Sequence, residues 1–143
     1  MIQLPAEILT LRDNVDLTLM SVDLSREPKR VALIALDFCE LLTKWLSDDQ
    51  SQAVEVARKF WSETGDDKHQ EWVGKFAHVL DLDQRSHAHD RDVAMNRLVW
   101  TALNTNMEFD GYACEFLIVL GFEVGLNAGQ MHGVLVKYIP GLC

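Results

Sequence analysis

The sequence predicts an all-α fold, a compact single-domain bundle of about six helices that follows a short irregular amino-terminal segment. From Pro28 onward, apolar residues recur at spacings of three and four, which places them on one face of a helix. Only one stretch, residues 14–24, alternates apolar and polar residues as a strand would. Pro28 is placed to open a helix and Pro140 to close the last one, because a proline inside a helix would break it, and Pro5 lies in the amino-terminal segment.

Length and composition set the domain organisation. The chain has 143 residues, of which 48% are apolar and 24% are charged. A chain of this length forms one domain of ordinary size, and this share of apolar residues is enough to fill its core. We therefore predict one helical domain over residues 1–143, with an irregular segment over 1–27 and the helical bundle over 28–143.

The amino-terminal segment leaves two interpretations open. Its apolar residues alternate with polar ones over residues 14–24, at Val15, Leu17, Leu19 and Val22. An extended arm and a short helix both fit so short a pattern, and periodicity alone does not decide between them.

The first two long helices follow Pro28. The first is predicted over residues 28–46 and is apolar nearly all round, which places it at the centre of the fold. The second follows the segment "SDDQ", and Gly65 is placed to end it. Its predicted inner face consists of Ala53, Val54, Ala57, Phe60 and Trp61.

Four shorter helices complete the predicted bundle. The third begins near Asp66 and Asp67, and the fourth follows residues 86–92. The fifth runs over residues 110–120 and ends before Gly121, and the sixth runs over residues 127–139. Their predicted buried residues are Trp72, Val73, Phe76 and Leu80 in the third, Met95, Leu98, Val99, Ala102 and Leu103 in the fourth, and Met131, Val134, Leu135 and Tyr138 in the sixth.

The charge balance narrows the class of partner. The formal net charge is −9, and a chain this acidic repels phosphate backbones, so we predict no nucleic-acid binding. Many of the acids stand at predicted helix starts, where carboxylates cap free N–H groups. Others lie away from the clearest caps, at Asp13, Asp16, Asp23, Glu55 and Glu71. That surplus is compatible with a protein partner of basic character.

Cysteine usage and hydropathy indicate a reduced, cytoplasmic protein without membrane contact. The three cysteines, Cys39, Cys114 and Cys143, are widely spaced, which does not suit a disulfide framework. The first 14 residues lack the pattern of a secretory signal. The longest purely apolar run covers residues 31–36, which is far too short to span a bilayer.

One short stretch, "SHAHDRD" at residues 86–92, carries the residue types of a metal site. The candidate ligands are His87, His89, Asp90 and Asp92. In a helix, residues two apart point about 200° apart, so His87 and His89 cannot share a metal there. Only the pairs His87–Asp90 and His89–Asp92 converge, and each is two ligands short of a structural zinc site.

The His89–Asp90 doublet resembles the HD-domain phosphohydrolases, which are helical metal-dependent enzymes. That resemblance covers these two residues only. With the neighbouring residues it leaves one alternative open, a helical metal-dependent hydrolase that uses His87, His89, Asp90 and Asp92. In that family the doublet ends an apolar helix, whereas here a polar segment surrounds it. We therefore favour a loop that runs into a helix, with Ser86 or Asp90 as its N-cap, and predict no metal ligand.

No further motif for catalysis or cofactor binding is present. The chain lacks a GxSxG elbow, a Walker loop, a GxGxxG fingerprint and an HExxH motif, so we predict no catalytic residue and no cofactor. Cys39 and Cys114 stand among apolar neighbours, which raise the pKa of a thiol and make it inert. The tryptophans fall one to a helix in the first four helices and are interpreted as core residues: Trp45, Trp61, Trp72 and Trp100.

The carboxy-terminal third is poor in charge. From residue 111 to the end, the only charged residues are Glu115, Glu123 and Lys137. Two helices of this composition are either covered by the other helices or packed against a second copy of the chain. A homodimer through the last two helices is therefore one of our hypotheses.

The charge-poor region also carries a resemblance. The segment "YACEFLIVLGFEVGLNAG" resembles a group of small all-helical bacterial proteins of unknown function, some of them found near protein-secretion genes. The shared positions, Tyr112, Phe116, Leu117, Gly121 and Gly129, are mostly packing and capping residues, so the resemblance implies no catalytic residues.

These observations favour a non-catalytic protein-binding module of bacterial type that engages a basic protein partner. The chain resembles the small acidic immunity proteins that neutralise bacterial toxins in size, charge and helicity, though in no motif, so an immunity-like or secretion-associated role is the expectation. Two other hypotheses stay open: a helical metal-dependent hydrolase that uses the cluster at residues 87–92, and an oligomeric structural protein.

Overall fold

The computed structural model describes residues 4–18, 28–62, 68–85, 91–103 and 113–142. Within these ranges, every regular element is helical, which confirms the predicted all-α fold. Seven α-helices are described, where about six were predicted, together with one 3₁₀ turn at Thr43–Trp45. The helices are α1 Ala6–Thr18, α2 Pro28–Glu40, α3 Asp48–Trp61, α4 His69–Arg85, α5 Arg91–Leu103, α6 Ala113–Glu123 and α7 Ala128–Tyr138.

The amino-terminal segment is helical over residues 6–18, so the prediction of an irregular segment was wrong there. The carbonyl of Pro5 accepts the first hydrogen bonds of α1. Ile8, Leu11 and Val15 lie on one helical face and are buried where α1 packs against α6 and α7. Leu17, which an alternating strand would place with Val15, is 67% exposed. Residues 19–24 of the alternating stretch lie outside the described ranges.

Helix α2 is central, as predicted. It packs against α3, α5, α6 and α7. A helix with neighbours on several sides needs apolar residues around most of its circumference. This explains why α2 lacks a continuous polar face. Its buried residues are Val31, Ala32, Ile34, Ala35, Leu36, Phe38 and Cys39.

Helix α2 ends at Glu40 and does not reach Leu46, which corrects the predicted boundary. The hydroxyl of Thr43 donates to the carbonyl oxygen of Glu40 at 2.7 Å and so takes the place of a continuing helical bond. The chain then forms the 3₁₀ turn. The early end leaves two large apolar residues on the surface, Leu41 at 42% and Trp45 at 55% exposure.

A capping box begins α3. The hydroxyl of Ser47 accepts from the backbone N–H of Gln50 at 3.1 Å, and the side chain of Gln50 accepts from the N–H of Ser47 at 2.9 Å. Gln50 also donates to Asn96 of α5 at 2.8 Å, and Asn96 donates to Asp83 of α4 at 3.2 Å. This partly buried chain of polar side chains links three helices.

Two side chains cap the carboxy-terminal end of α5. The last carbonyls of a helix have no partner within it. Here the indole N–H of Trp61 donates to the carbonyl of Ala102 at 2.8 Å, and Nε2 of His69 donates to the carbonyl of Leu103 at 2.6 Å. The His69 ring stacks on Phe60 with a centroid separation of 3.7 Å. The ends of α3 and α4 are thereby joined to α5. Residues 63–67 lie outside the described ranges. They include Gly65, which was predicted to end the second helix, and Asp66 and Asp67, which were predicted to begin the third.

Helix α6 continues through Gly121 to Glu123, so the predicted end before Gly121 was wrong. A Cβ at Gly121 would collide with the sulfur of Met131 and lie 3.3 Å from the Phe38 ring, so the glycine allows close helix packing. The residue that ends the helix is Gly125, at φ +105°. Its N–H and that of the next residue donate to Phe122 and Gly121, which forms a Schellman motif.

Helix α7 begins at the predicted position, with Asn127 and Gln130 forming a second capping box. At its other end, the hydroxyl of Tyr138 donates to the carboxylate of Asp37 on α2 at 2.7 Å. Burial and then the bond to Asp37 raise the pKa of Tyr138 from 10.0 to about 12.

Replacement of Tyr138 by phenylalanine should cost about 1 kcal/mol at pH 7, since it removes one hydrogen bond to a charged acceptor. The pKa of Tyr138 is higher in the folded state, so the unfolded state ionises first as the pH rises. The advantage of the wild type is therefore complete below pH 10.0 and is lost between pH 10.0 and about 12. Urea unfolding of both proteins across this range measures it. If the difference in unfolding free energy between the two proteins does not change with pH, the raised pKa of Tyr138 is contradicted.

The charge-poor carboxy-terminal helices are covered from inside the chain. Leu117 and Ile118 of α6 and Met131 and Leu135 of α7 have no exposed surface. Residues of all seven described helices belong to the same buried apolar cluster. Because other helices of the same chain bury these residues, the low number of charged residues in α6 and α7 is explained without a second chain. The homodimer stays a hypothesis.

No described helix combines the length with the hydropathy that would be required to cross a membrane.

Candidate functional site

The stretch that suggested a metal site is only partly within the described ranges. His87, His89 and Asp90 lie outside them, as does Ser86. Asp92 is described and is exposed in the first turn of α5. Among the described residues, no group of three or more His, Cys, Asp or Glu side chains is arranged to hold a metal ion. The metal-site hypothesis therefore stays a sequence prediction.

Arg91, from the same stretch, has a structural role that the sequence analysis missed. Its Nε donates to the carbonyl of Val124 at 2.8 Å, and its guanidinium lies 5.0 Å from the centre of the Trp45 ring. It also lies beside Gly125, where a Cβ would come within 3.2 Å of the guanidinium. Arg91 therefore joins the start of α5 to the 3₁₀ turn and to the connection between α6 and α7.

The thiol of Cys39 is inert, as expected from its neighbours. Cys39 has no exposed surface, and burial raises its pKa to about 12. A thiol in that environment stays protonated at neutral pH and is a poor nucleophile. The side chain of Cys114 lies outside the described part.

A groove of about 300 Å³ opens between the end of α2, the 3₁₀ turn and the outer face of α3. We call it the acidic groove. Its rim carries two carboxylates and one guanidinium, and its wall includes apolar side chains. The residues that define it are Glu40, Thr43, Leu46, Val54, Glu55 and Arg58.

The charges in the acidic groove are unbalanced. The Arg58 guanidinium pairs with the Glu40 carboxylate at 2.6 Å. Glu55 forms no ion pair with any described residue, and it also lines a second opening that holds Lys59 and Lys68. The carbonyl end of α2 also lies at the groove and contributes a partial negative charge. The groove therefore favours a cation.

A second opening of about 360 Å³ lies on the other side of the exposed ridge of α3, and we call it the basic cleft. Gln52 and Glu55 border both openings. Lys59 and Lys68 line the basic cleft, and the ammonium of Lys75 lies 4.5 Å from the centre of the Trp72 ring. The two sides of α3 thus differ in charge.

Trp45 is the largest correction to the sequence analysis at this site. It was predicted to be core, yet 55% of it is exposed on the 3₁₀ turn, where its ring lies against the guanidinium of Arg91. Exposed Leu41 precedes it by four residues, on the far side of the end of α2. A signal in the sequence was Thr43, a β-branched residue with a hydroxyl that competes for helical carbonyls.

Comparisons of the chain with protein-family models, curated proteins and solved structures found no match. Function must therefore be argued from the chemistry of this surface, because fold alone does not determine function.

Proposed function

We propose that this chain is a non-catalytic protein-binding module that engages a basic protein partner. The observation that carries the proposal is the exposed indole of Trp45, which belongs to the 3₁₀ turn that also supplies Thr43 to the wall of the acidic groove. We call the surface formed by Trp45 and the acidic groove the binding face. Neutralising or escorting the partner in the cytoplasm, as an immunity-like or secretion-associated protein does, is the biological role that we propose for it.

The chemistry of the binding face supports this role. Binding energy at protein interfaces concentrates in a few residues, and tryptophan is among the most frequent of them. The ring of Trp45 is held in place by the guanidinium of Arg91, so less conformational entropy is lost when a partner packs against it. An anchor that is already ordered is a better binding residue than a mobile one.

Charge supports a basic partner. Asp48 and Asp49 are exposed in the first turn of α3, and Asp48 lies one helical turn before Gln52 and two before Glu55 on the same face. The whole chain carries a net charge of −9. Such a field steers a basic protein towards the binding face and speeds association.

The test begins with capture of a partner from a lysate of the native host at low salt. The partner should be basic, and replacement of Trp45 by alanine should weaken its binding about 30-fold, which is the effect of losing a hot-spot residue of about 2 kcal/mol. Leu17→Ala is the matched control, since Leu17 is also exposed but lies on α1. We expect that variant to bind within about twofold of the wild type, as a residue outside the interface does.

Salt provides the second part of the same test. Raising the ionic strength from about 50 to about 500 mM should slow association at least about tenfold, because surface charges are then screened over a few ångströms. Stopped-flow fluorescence of the tryptophans follows the rate. An acidic partner, an association rate indifferent to salt, or full binding by the Trp45 variant would refute the proposal.

A further inference from the structure

We infer that α1 is a detachable strap, a helix that opens as a unit while α2 to α7 stay folded. Within the described part of the chain, α1 packs extensively against α6 and α7 and against no other helix. Its opening uncovers the charge-poor face of those two helices. The inference does not depend on the proposed function, because the binding face is built from α2, α3 and the 3₁₀ turn.

Helix α1 has little stability of its own. It spans 13 residues, a length at which an isolated helix is marginal in water even when its residues favour helix formation. Several residues of α1 are β-branched or short and polar, and such residues have weak helix preference. The last turn contains Asp16 and no basic residue, so a carboxylate stands at the negative end of the helix dipole. We therefore expect α1 to be helical only while it is docked, so that undocking also unfolds it.

The contact that holds α1 in place is small. Three of its residues are buried, Ile8, Leu11 and Val15, whereas eight residues of α5, a helix of the same length, are buried. Ordering two helices of equal length costs similar conformational entropy, but α1 buries far less apolar surface in exchange. The free energy that opens α1 is therefore smaller than the free energy that unfolds the whole protein.

Helices α6 and α7 are held to the rest of the fold by contacts that do not involve α1. The hydroxyl of Tyr138 on α7 donates to the carboxylate of Asp37 on α2. Arg91 of α5 donates to the carbonyl of Val124, which follows α6. Gly121 lets α6 approach both α2 and α7 closely. These contacts remain when α1 opens, so α6 and α7 stay in place.

The surface that α1 covers is apolar. The charged residues of α6 and α7 are Glu115, Glu123 and Lys137, and the side chains with which α1 docks on these helices are a leucine, an isoleucine and a valine. The closed form hides this apolar surface from water, and the opened form exposes it.

The experiment is native-state hydrogen exchange of the full ¹⁵N-labelled chain, followed by NMR at urea concentrations below the unfolding transition. After correction for intrinsic rates, the amides of Leu11 and Val15 should exchange at least about 100-fold faster than those of Leu98 and Val99 in α5. Exchange at both α1 amides should accelerate equally with urea, since opening of a whole helix exposes surface. Equal protection of α1 and α5 would overturn the inference. Exchange in α1 that is indifferent to urea would also overturn it, because it indicates fraying of single residues.

The variant Phe76→Leu distinguishes opening of α1 from unfolding of the whole protein. Phe76 is buried on α4, which makes no extensive contact with α1 among the described residues. The variant should lower the protection of the α5 amides about fivefold, as a core substitution of similar volume does. It should leave the protection of the α1 amides unchanged, because the closed and the opened form both contain the packing around α4. An equal fall in both helices would show that α1 opens only when the whole protein unfolds.

A second pair of variants tests the contact that closes the strap. Val15→Ala removes apolar surface from the docked face of α1 and should lower the protection of the α1 amides about tenfold. Leu17→Ala is the matched control, because Leu17 is 67% exposed on the same helix, and should change that protection less than about twofold. If Val15→Ala has no larger effect than Leu17→Ala, the docked face does not hold α1 and the inference fails.

Discussion

Replacement of Phe38 by alanine should destabilise the protein by about 3–5 kcal/mol, which is the cost of removing a buried phenylalanine ring. Phe38 lies on α2 and has no exposed surface. Its ring faces Gly121 of α6, at the point where α6 also meets Met131 of α7. Because Gly121 has no side chain, the cavity would be lined by three helices that cannot easily collapse into it. Urea unfolding measures the loss.

The matched control is Phe116→Ala on α6, since Phe116 is 36% exposed. We expect this variant to lose no more than about 1 kcal/mol, as partly exposed positions do. Equal losses in the two variants would contradict the arrangement of α2 and α6. Phe116 is also an exposed apolar residue that a dimer through the carboxy-terminal helices would cover. Light scattering that gives 16.3 kDa for the wild type would remove the homodimer hypothesis.

Replacement of His69 by alanine should destabilise the protein by about 2–4 kcal/mol, through lost packing and a lost hydrogen bond. His69 is 2% exposed, stacks on Phe60 and donates to the carbonyl of Leu103. Without the imidazole, that carbonyl at the end of α5 loses its side-chain cap, and an uncompensated buried acceptor is costly. Chemical denaturation at pH 7 gives the difference.

Two further variants make this result interpretable. His78→Ala changes an exposed histidine of the same helix and should stay within about 0.5 kcal/mol of the wild type. Trp61→Phe keeps an aromatic ring but removes the donor to Ala102, so it should cost about 1–2 kcal/mol. A loss in His69→Ala no larger than in His78→Ala would show that the cap at Leu103 does not stabilise α5.

Periodicity was the most informative property of the sequence. All five residues predicted to form the inner face of the fourth helix are buried in α5. This agreement is expected because apolar residues at positions i, i+3, i+4 and i+7 can leave water together only as one face of a helix. The starts of α3 and α7 were also predictable, since Ser47 and Asn127 are capping residues whose hydrogen bonds are local.

The errors concern features that depend on other parts of the chain. Gly121 and Gly125 are equally plausible helix ends in the sequence, and only the approach of Met131 shows which of them lies inside the helix. The helical amino-terminal segment is stabilised by its packing on α6 and α7, more than 90 residues away along the chain. Short segments have weak intrinsic preferences, so such contacts decide their conformation.

The candidate site was even less accessible to sequence analysis. Acidity predicted a basic partner in general, but Glu40 and Arg58 are 18 positions apart and nothing in their spacing indicates a shared groove. The motif that attracted attention, at residues 86–92, contributes Arg91 to the support of Trp45. His87, His89 and Asp90 lie outside the described ranges.

The sequence by itself determined that the chain forms amphipathic helices, which faces of most of them are apolar, and that the surface is acidic. These properties follow from side chains within a few turns of each other. Only the tertiary structure decided that Trp45 is exposed, that Trp61 and His69 cap α5, and that carboxylates of α2 and α3 line the same groove. Each of these three features depends on contacts between separate helices. The free energy of such contacts depends on distances in space, which the local sequence does not encode.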